Sequence, residues 1–453
     1  MGRNEVITPS FVNRGSFGAS YAKKESDTLI QQARLTNGIR VIMEPMANLR
    51  SVSMGVWVNA GSVYESGADA GISHFIEHMV FKGTARRTAA DIAAEMDAVG
   101  GNLNAFTAKE CTCFYAKVLD EHLPLAVDMF SDITLHPALD EGEMEKEKRV
   151  VIEEILMSED SPEDKAFETA GAAYFAGTAL SSPILGTPET VSAFTREQVL
   201  AYMGRRYVTG NMVIACAGSF SPEKLLPLLE AAFAPCPQGA GDMLAEHEPR
   251  AGKRWLFVQK DTEQVNACLM LPGFRMDSGE NMALSVLSNA LGGSMSSRLF
   301  QKIREELGLA YSVYTYPMAY RDTGAICLYF GSGEKQAQKT MELALKELDR
   351  LRAEGLSDEE LIRSRAQLKG SFLLGMEGSG AHMNAIGKRL LLQNKEFTIE
   401  DTLSAIECVT MEKVNDILCR VLSPRRAVCA AVGRTRGAQK GIKSLLDDWM
   451  GRR

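Results

Sequence analysis

His74-Phe75-Ile76-Glu77-His78 decides the reading of this chain. On one helix at about 100° per residue, His74 and His78 lie roughly 40° apart around the axis and one turn apart along it. Glu77 falls about 60° to the other side of His74, so two ring nitrogens and a carboxylate can face one ion. A hydrolytic metal site needs three protein ligands, an open position for water and a base for that water's proton. This pentapeptide supplies two ligands and the base, so the third ligand must come from elsewhere.

Outward from the motif, the local pattern is mixed α and β. Asn37-Gly38 between Leu35 and Ile39 reads as a hairpin turn, and Val52, Met54, Val56 and Val58 alternate as a half-buried strand does. The motif helix should start after Gly71 and close at Lys82-Gly83, and Thr88 should cap a second helix ending at Gly100-Gly101. Strand-like runs follow over 102–107 and 111–119, then a helical stretch over 121–133. The expected fold class is therefore α+β, with mostly antiparallel sheets packed with helices.

The same plan recurs in the second half. A strand is expected over 265–271, helices over 280–291 and 297–306, and strands over 309–314 and 325–331. There the helix that would correspond to the motif carries Ser285 to Ala290 and no ligand, which implies one active and one inert copy. At 453 residues the chain is too long for one ordinary core. We place a first domain at 1–235, a linker of Pro, Gly, Ala and acidic residues at 236–253, and a second domain at 254–453.

Composition excludes other classes. A net charge of -8 leaves no electrostatic footprint for nucleic acid, and no stretch approaches the roughly 18 apolar residues of a membrane span. The start lacks a secretory pattern, and Val6 argues against myristoylation at Gly2. Nine cysteines, odd in number and scattered, most of them in apolar runs, read as reduced core residues of a cytoplasmic protein. Cys111 and Cys113, on one side of a strand, are expected to pack rather than bind metal.

A candidate for the missing ligand lies on segment 143–156, which is strongly helical by propensity and could otherwise be a solvated charged helix. Helical spacing brings Glu147 and Glu154, seven apart, within about 20° of each other at the edge of its apolar face. Glu153 points away, toward water, which makes Glu154 the better ligand on geometry alone.

These residues carry a resemblance. His-x-x-Glu-His is the inverzincin order, and with Glu154 76 residues after His78 and a further Glu seven before it, the chain resembles the M16 zinc peptidases. Within that family it resembles the shorter members, namely the mitochondrial processing peptidase beta subunit and its bacterial relatives. Gly61-Ser62-Val63-Tyr64-Glu65, His78 to Thr84 and Gly100 to Ala105 read like stretches of that family, and the likeness extends over both halves.

The resemblance implies one Zn(2+) per chain held by His74, His78 and Glu154, Glu77 as general base, and Glu147 as the carboxylate behind the ligands. It further implies Phe81 lining the pocket for the side chain after the cut, and substrate main chain added along Asn102, Leu103, Asn104 and Ala105. Arg304 and Tyr311 would touch substrate and steady the oxyanion. Long members join four such domains around a chamber, so a two-domain chain implies a homodimer in which Arg304 and Tyr311 serve the partner's site. The expected activity is zinc-dependent endoproteolysis of extended or unfolded peptides. The alternative is a catalytically silent core-type scaffold or a peptide-binding subunit of the same fold.

Overall fold

A computed structural model describes residues 30–241 and 254–451. The chain start and the linker segment 242–253 lie outside the described residues. Among the described residues eleven strands form two sheets. In the first half they are β1 (Gln31–Arg34), β2 (Arg40–Pro45), β3 (Ser51–Val58), β4 (Asn102–Thr107), β5 (Thr112–Leu119) and β6 (Met212–Gly218). In the second they are β7 (Trp255–Gln259), β8 (Gln264–Pro272), β9 (Ala310–Ala319), β10 (Gly324–Gly333) and β11 (Val428–Gly433).

The sheet orders are β1-β2-β6-β3-β5-β4 and β7-β11-β8-β10-β9. Setting β1 aside, each strand of the first sheet occupies the place of the strand five later in the second. Each sheet has one parallel pair, β2 with β6 and β7 with β11, and is otherwise antiparallel. The chain is thus an α+β repeat of two similar units.

The expected local signals are present. Gly38 takes φ +100 between β1 and β2, in the left-handed region that Gly enters without steric cost. The first half includes the helices α1 (Ile72–Met79), α2 (Ala89–Ala98), α3 (Leu123–Leu135) and α4 (Glu141–Asp160), of which α1 and α4 carry the site. Thr88 caps α2 through a reciprocal box with Asp91. The second half departs from expectation. The helix Asn281–Ser288 runs into a π-helical turn over Asn289–Gly293, and Phe300–Glu306 is π-helical as well. In the first turn Gly292 sits so close to β9 that an added Cβ would stand 2.8 Å from the Thr315 backbone nitrogen.

One face of each sheet is covered by helices of its own half, giving two large cores. The other faces are covered by exchange. α5 (Pro162–Tyr174) from the first half lies on β8 and β11, and its Phe167 stacks on Tyr329 of the neighbouring β10 at 5.3 Å between ring centroids. The helix Ser379–Gln393 from the second half lies on β2, β3 and β6. Gly387 permits this approach, since a Cβ there would be 2.3 Å from Trp57 Nε1.

Cys111 and Cys113 are buried in that interlayer beside Met383 and Ile386, so they pack as expected. Among the described residues no helix is long and apolar enough to cross a membrane.

Candidate metal centre

α1 is positioned from its first turn. Gly71 takes φ +91, and a Cβ on it would lie 2.6 Å from the Leu185 carbonyl. The Glu65 carboxylate accepts from the backbone N–H groups of Gly71 (2.7 Å) and Ser73 (2.9 Å), an anion at a helix N-terminus where free N–H groups and the dipole favour it. Ile72, Phe75, Ile76 and Met79 go into the core, which leaves His74, Glu77 and His78 on the opposite face. Asp140 caps the start of α4, its side chain accepting from Glu143 N at 3.0 Å, and the helix buries Met144, Val151 and Ile155. That anchoring brings Glu147 and Glu154 to α1, while Glu153 is exposed.

His74, His78 and Glu154 converge. One ligand atom from each lies within 4.8 Å of the others, and this is the only such cluster among the described residues. Glu154 Oε2 stands 3.6 Å from His74 Nε2 and 3.4 Å from His78 Nε2. Two donors at about 2.1 Å from one tetrahedral zinc are themselves about 3.4 Å apart. The donor set, two imidazoles and a carboxylate, is one zinc accepts, so the residues present fit the ion.

The surroundings act in opposite directions on the two rings. Burial, with His78 adding to it, pushes His74 down to about 4, so its ring is neutral at pH 7. Burial also opposes charge on His78, but the hydrogen bond and charge of Glu147 outweigh it and raise its pKa. Glu147 Oε1 meets His78 Nδ1 at 2.8 Å, which leaves Nε2 turned toward Glu154. Lys82 Nζ holds the other Glu147 oxygen at 2.6 Å. Burial works to raise Glu147, yet the hydrogen bonds from His78 and Lys82 prevail and lower it. Glu77 is raised by burial, against a 2.5 Å hydrogen bond donated by Thr107 Oγ1.

His74, Glu77 and Glu154 border a cavity of about 830 Å³. Its walls come from the end of β4, from α4, α5 and the loop 180–188, and from β8 and β9 of the second half. Among the described residues β4 is the outer strand of its sheet and pairs only with β5. Ala105, Phe106 and Thr107 reach the cavity, whereas Asn102, Leu103 and Asn104 lie further along the strand and do not border it. Phe81 also does not border it. Its ring packs instead against Phe114, at 6.4 Å between centroids, on the core side of the sheet.

Arg304 and Tyr311 do meet each other, with the guanidinium 4.8 Å from the Tyr311 ring centroid. Tyr311 is 72% exposed, and neither residue borders the cavity of its own chain. Sequence reasoning gave no role to Lys82, Thr107 or Glu65. Lys82 could have been found, because it lies four residues after His78. Thr107 and Glu65 act through contacts that no sequence spacing encodes.

A helix-borne His-x-x-Glu-His with a remote glutamate, carried on one unit of a paired α+β repeat, places this protein in the inverzincin class. Within that class, the chain belongs to peptidase family M16. Residues 40–188 match the model of Insulinase (Peptidase family M16), and residues 193–368 match that of the Peptidase M16 inactive domain. It is 40% identical to the uncharacterized zinc protease YmxG of Bacillus subtilis over 86% of this chain and 95% of that one. A zinc protease of Streptomyces coelicolor is 37% identical over 90% and 91%. The fold matches the crystal structure of a Helicobacter pylori protease with a TM-score of 0.82 at 19% identity, covering 90% of this chain and 99% of that one.

Proposed function

We infer that the protein is a zinc-dependent endopeptidase acting on extended or unfolded peptides. The observation that carries this reading is the meeting of His74, His78 and Glu154 at one point, in a cavity that also holds Glu77 and the end of a free sheet edge. One zinc per chain, held by those three residues, would supply Lewis acidity that brings a water toward ionisation near neutral pH. Glu77 takes the water's proton and delivers it to the departing amine. Thr107 aims the Glu77 carboxylate, and Glu147 orients His78. A peptide laid along β4 is held by main-chain hydrogen bonds, so it must be extended but need not have one sequence.

The same reading makes the working unit a homodimer, with Arg304 and Tyr311 of each chain reaching the partner's site to hold substrate and steady the oxyanion. Their exposure, away from their own cavity, supports it. A silent scaffold is disfavoured because ligands and base are all present. The test is hydrolysis of a quenched-fluorophore peptide. Wild type should cleave, chelation should stop it, and Glu77→Gln should lower kcat by about 100-fold or more with zinc retained. Equal turnover by Glu77→Gln would refute the mechanism.

A further inference from the structure

Lys109 sits just past the end of β4, two residues beyond Thr107, and borders the same cavity as His74 and Glu77. Its backbone is fixed, because its carbonyl accepts from Val63 N at 3.0 Å. Its ammonium donates to the Ser182 carbonyl, the one partner found for it among the described residues. An ammonium has three N–H donors, so two directions remain unused.

No carboxylate lies within 4.0 Å of Lys109 Nζ among the described residues. Lys165, the other lysine bordering the cavity, sits with Glu159 and Glu168. The acids nearest in effect on Lys109, Glu168 and Glu65, are engaged elsewhere, Glu168 with Lys165 and Glu65 with the start of α1. Burial pushes the Lys109 ammonium down to about 8, opposed by those two acids, so it is mostly charged at neutral pH. A partly buried cation without a counter-ion is costly unless a ligand completes it.

The geometry points to Lys109 as a carboxylate-recognising residue of the cleft, which favours substrates bearing an acidic side chain or a free C-terminus within a few residues of the cleaved bond. The range follows from the chain, since Lys109 lies only two residues past Thr107, which meets Glu77, in the turn that leads from β4 into β5. This inference rests on the endopeptidase reading, and two assays separate their failures.

The first compares kcat/KM for three kinds of quenched-fluorophore peptide: a neutral, amidated reference, the same peptide with Glu substituted at each position in turn, and the reference with a free carboxyl end. Wild type should favour at least one carboxylate-bearing peptide by about tenfold, the size expected of one charge-assisted hydrogen bond. Lys109→Met should cleave the neutral reference normally and lose that preference, while Lys109→Arg should keep it. The second assay measures the Kd of the same peptides on zinc-loaded Glu77→Gln protein, with and without Lys109→Gln.

If wild type cleaves no peptide, the endopeptidase reading falls, and the Kd ratios still decide the role of Lys109. An unchanged ratio after Lys109 is replaced, or no carboxylate preference in wild type, would overturn the proposal. The position of the favoured Glu, or preference for the free acid alone, identifies which carboxylate is bound.

Discussion

Glu147 grips His78 from behind. Its Oε1 is 2.8 Å from Nδ1, and Lys82 holds its Oε2 at 2.6 Å. Loss of such a partner costs roughly 10–100-fold in metal affinity, because the ring is freed to rotate and the tautomer is no longer set. Glu147→Gln should therefore weaken zinc binding by that factor in competition with a chromogenic chelator. Unchanged affinity would show that α4 contributes only Glu154.

Thr107 donates to Glu77 at 2.5 Å. A hydrogen bond to the charged form favours it, so removal raises the Glu77 pKa. Thr107→Val should lower kcat about tenfold with KM little changed, and should move the acid limb of the rate profile to higher pH, because the base must be ionised. Thr107→Ser should restore both. A KM effect alone would assign Thr107 to substrate binding.

His382, on the helix that the second half lends to the first sheet, sits between two acceptors: Glu44 Oε1 at 2.9 Å from Nδ1 and the Met376 carbonyl at 2.7 Å from Nε2. The Glu44 hydrogen bond, against some burial, raises its pKa. A raised folded pKa means that this stabilisation is complete below the unfolded value of about 6.5 and is lost as pH rises through the folded one. Melting temperature should fall over that window in wild type, and Glu44→Gln should abolish the fall. An equal slope in both would place the pH dependence elsewhere.

Sharing of sites between chains has its own test. A 1:1 exchanged mixture of His74→Ala and Tyr311→Phe chains, each nearly inactive alone, should recover about a quarter of wild-type activity, since half the dimers are mixed and each has one complete site. No recovery would count against sharing.

The legible features were those written in short-range chemistry. Asn37-Gly38, Thr88 and the alternation of β3 mark local conformations, and helical spacing alone separated Glu154 from the exposed Glu153. The recurrence of strands anticipated two units of like topology. The exchange of helices between the units was not legible, because an apolar helix face does not state which sheet it covers. The π-helical turn at Asn289–Gly293 was missed because the sequence there still reads as an ordinary helix end. The ring contact of Phe81 with Phe114 joins positions 33 apart and has no signature in local spacing. Lys109 gave no signal, since a lysine in a strand-end loop is usually solvated, and only its placement beside the Ser182 carbonyl sets it apart.

The most direct measurement is zinc content per chain, by elemental mass spectrometry, of wild type, His74→Ala and Glu154→Ala after dialysis against a weak chelator. The expected result is one zinc in wild type and little in either variant. One zinc retained when Glu154 is removed, or none bound by folded wild type supplied with zinc, would contradict closure of both helices around a single ion.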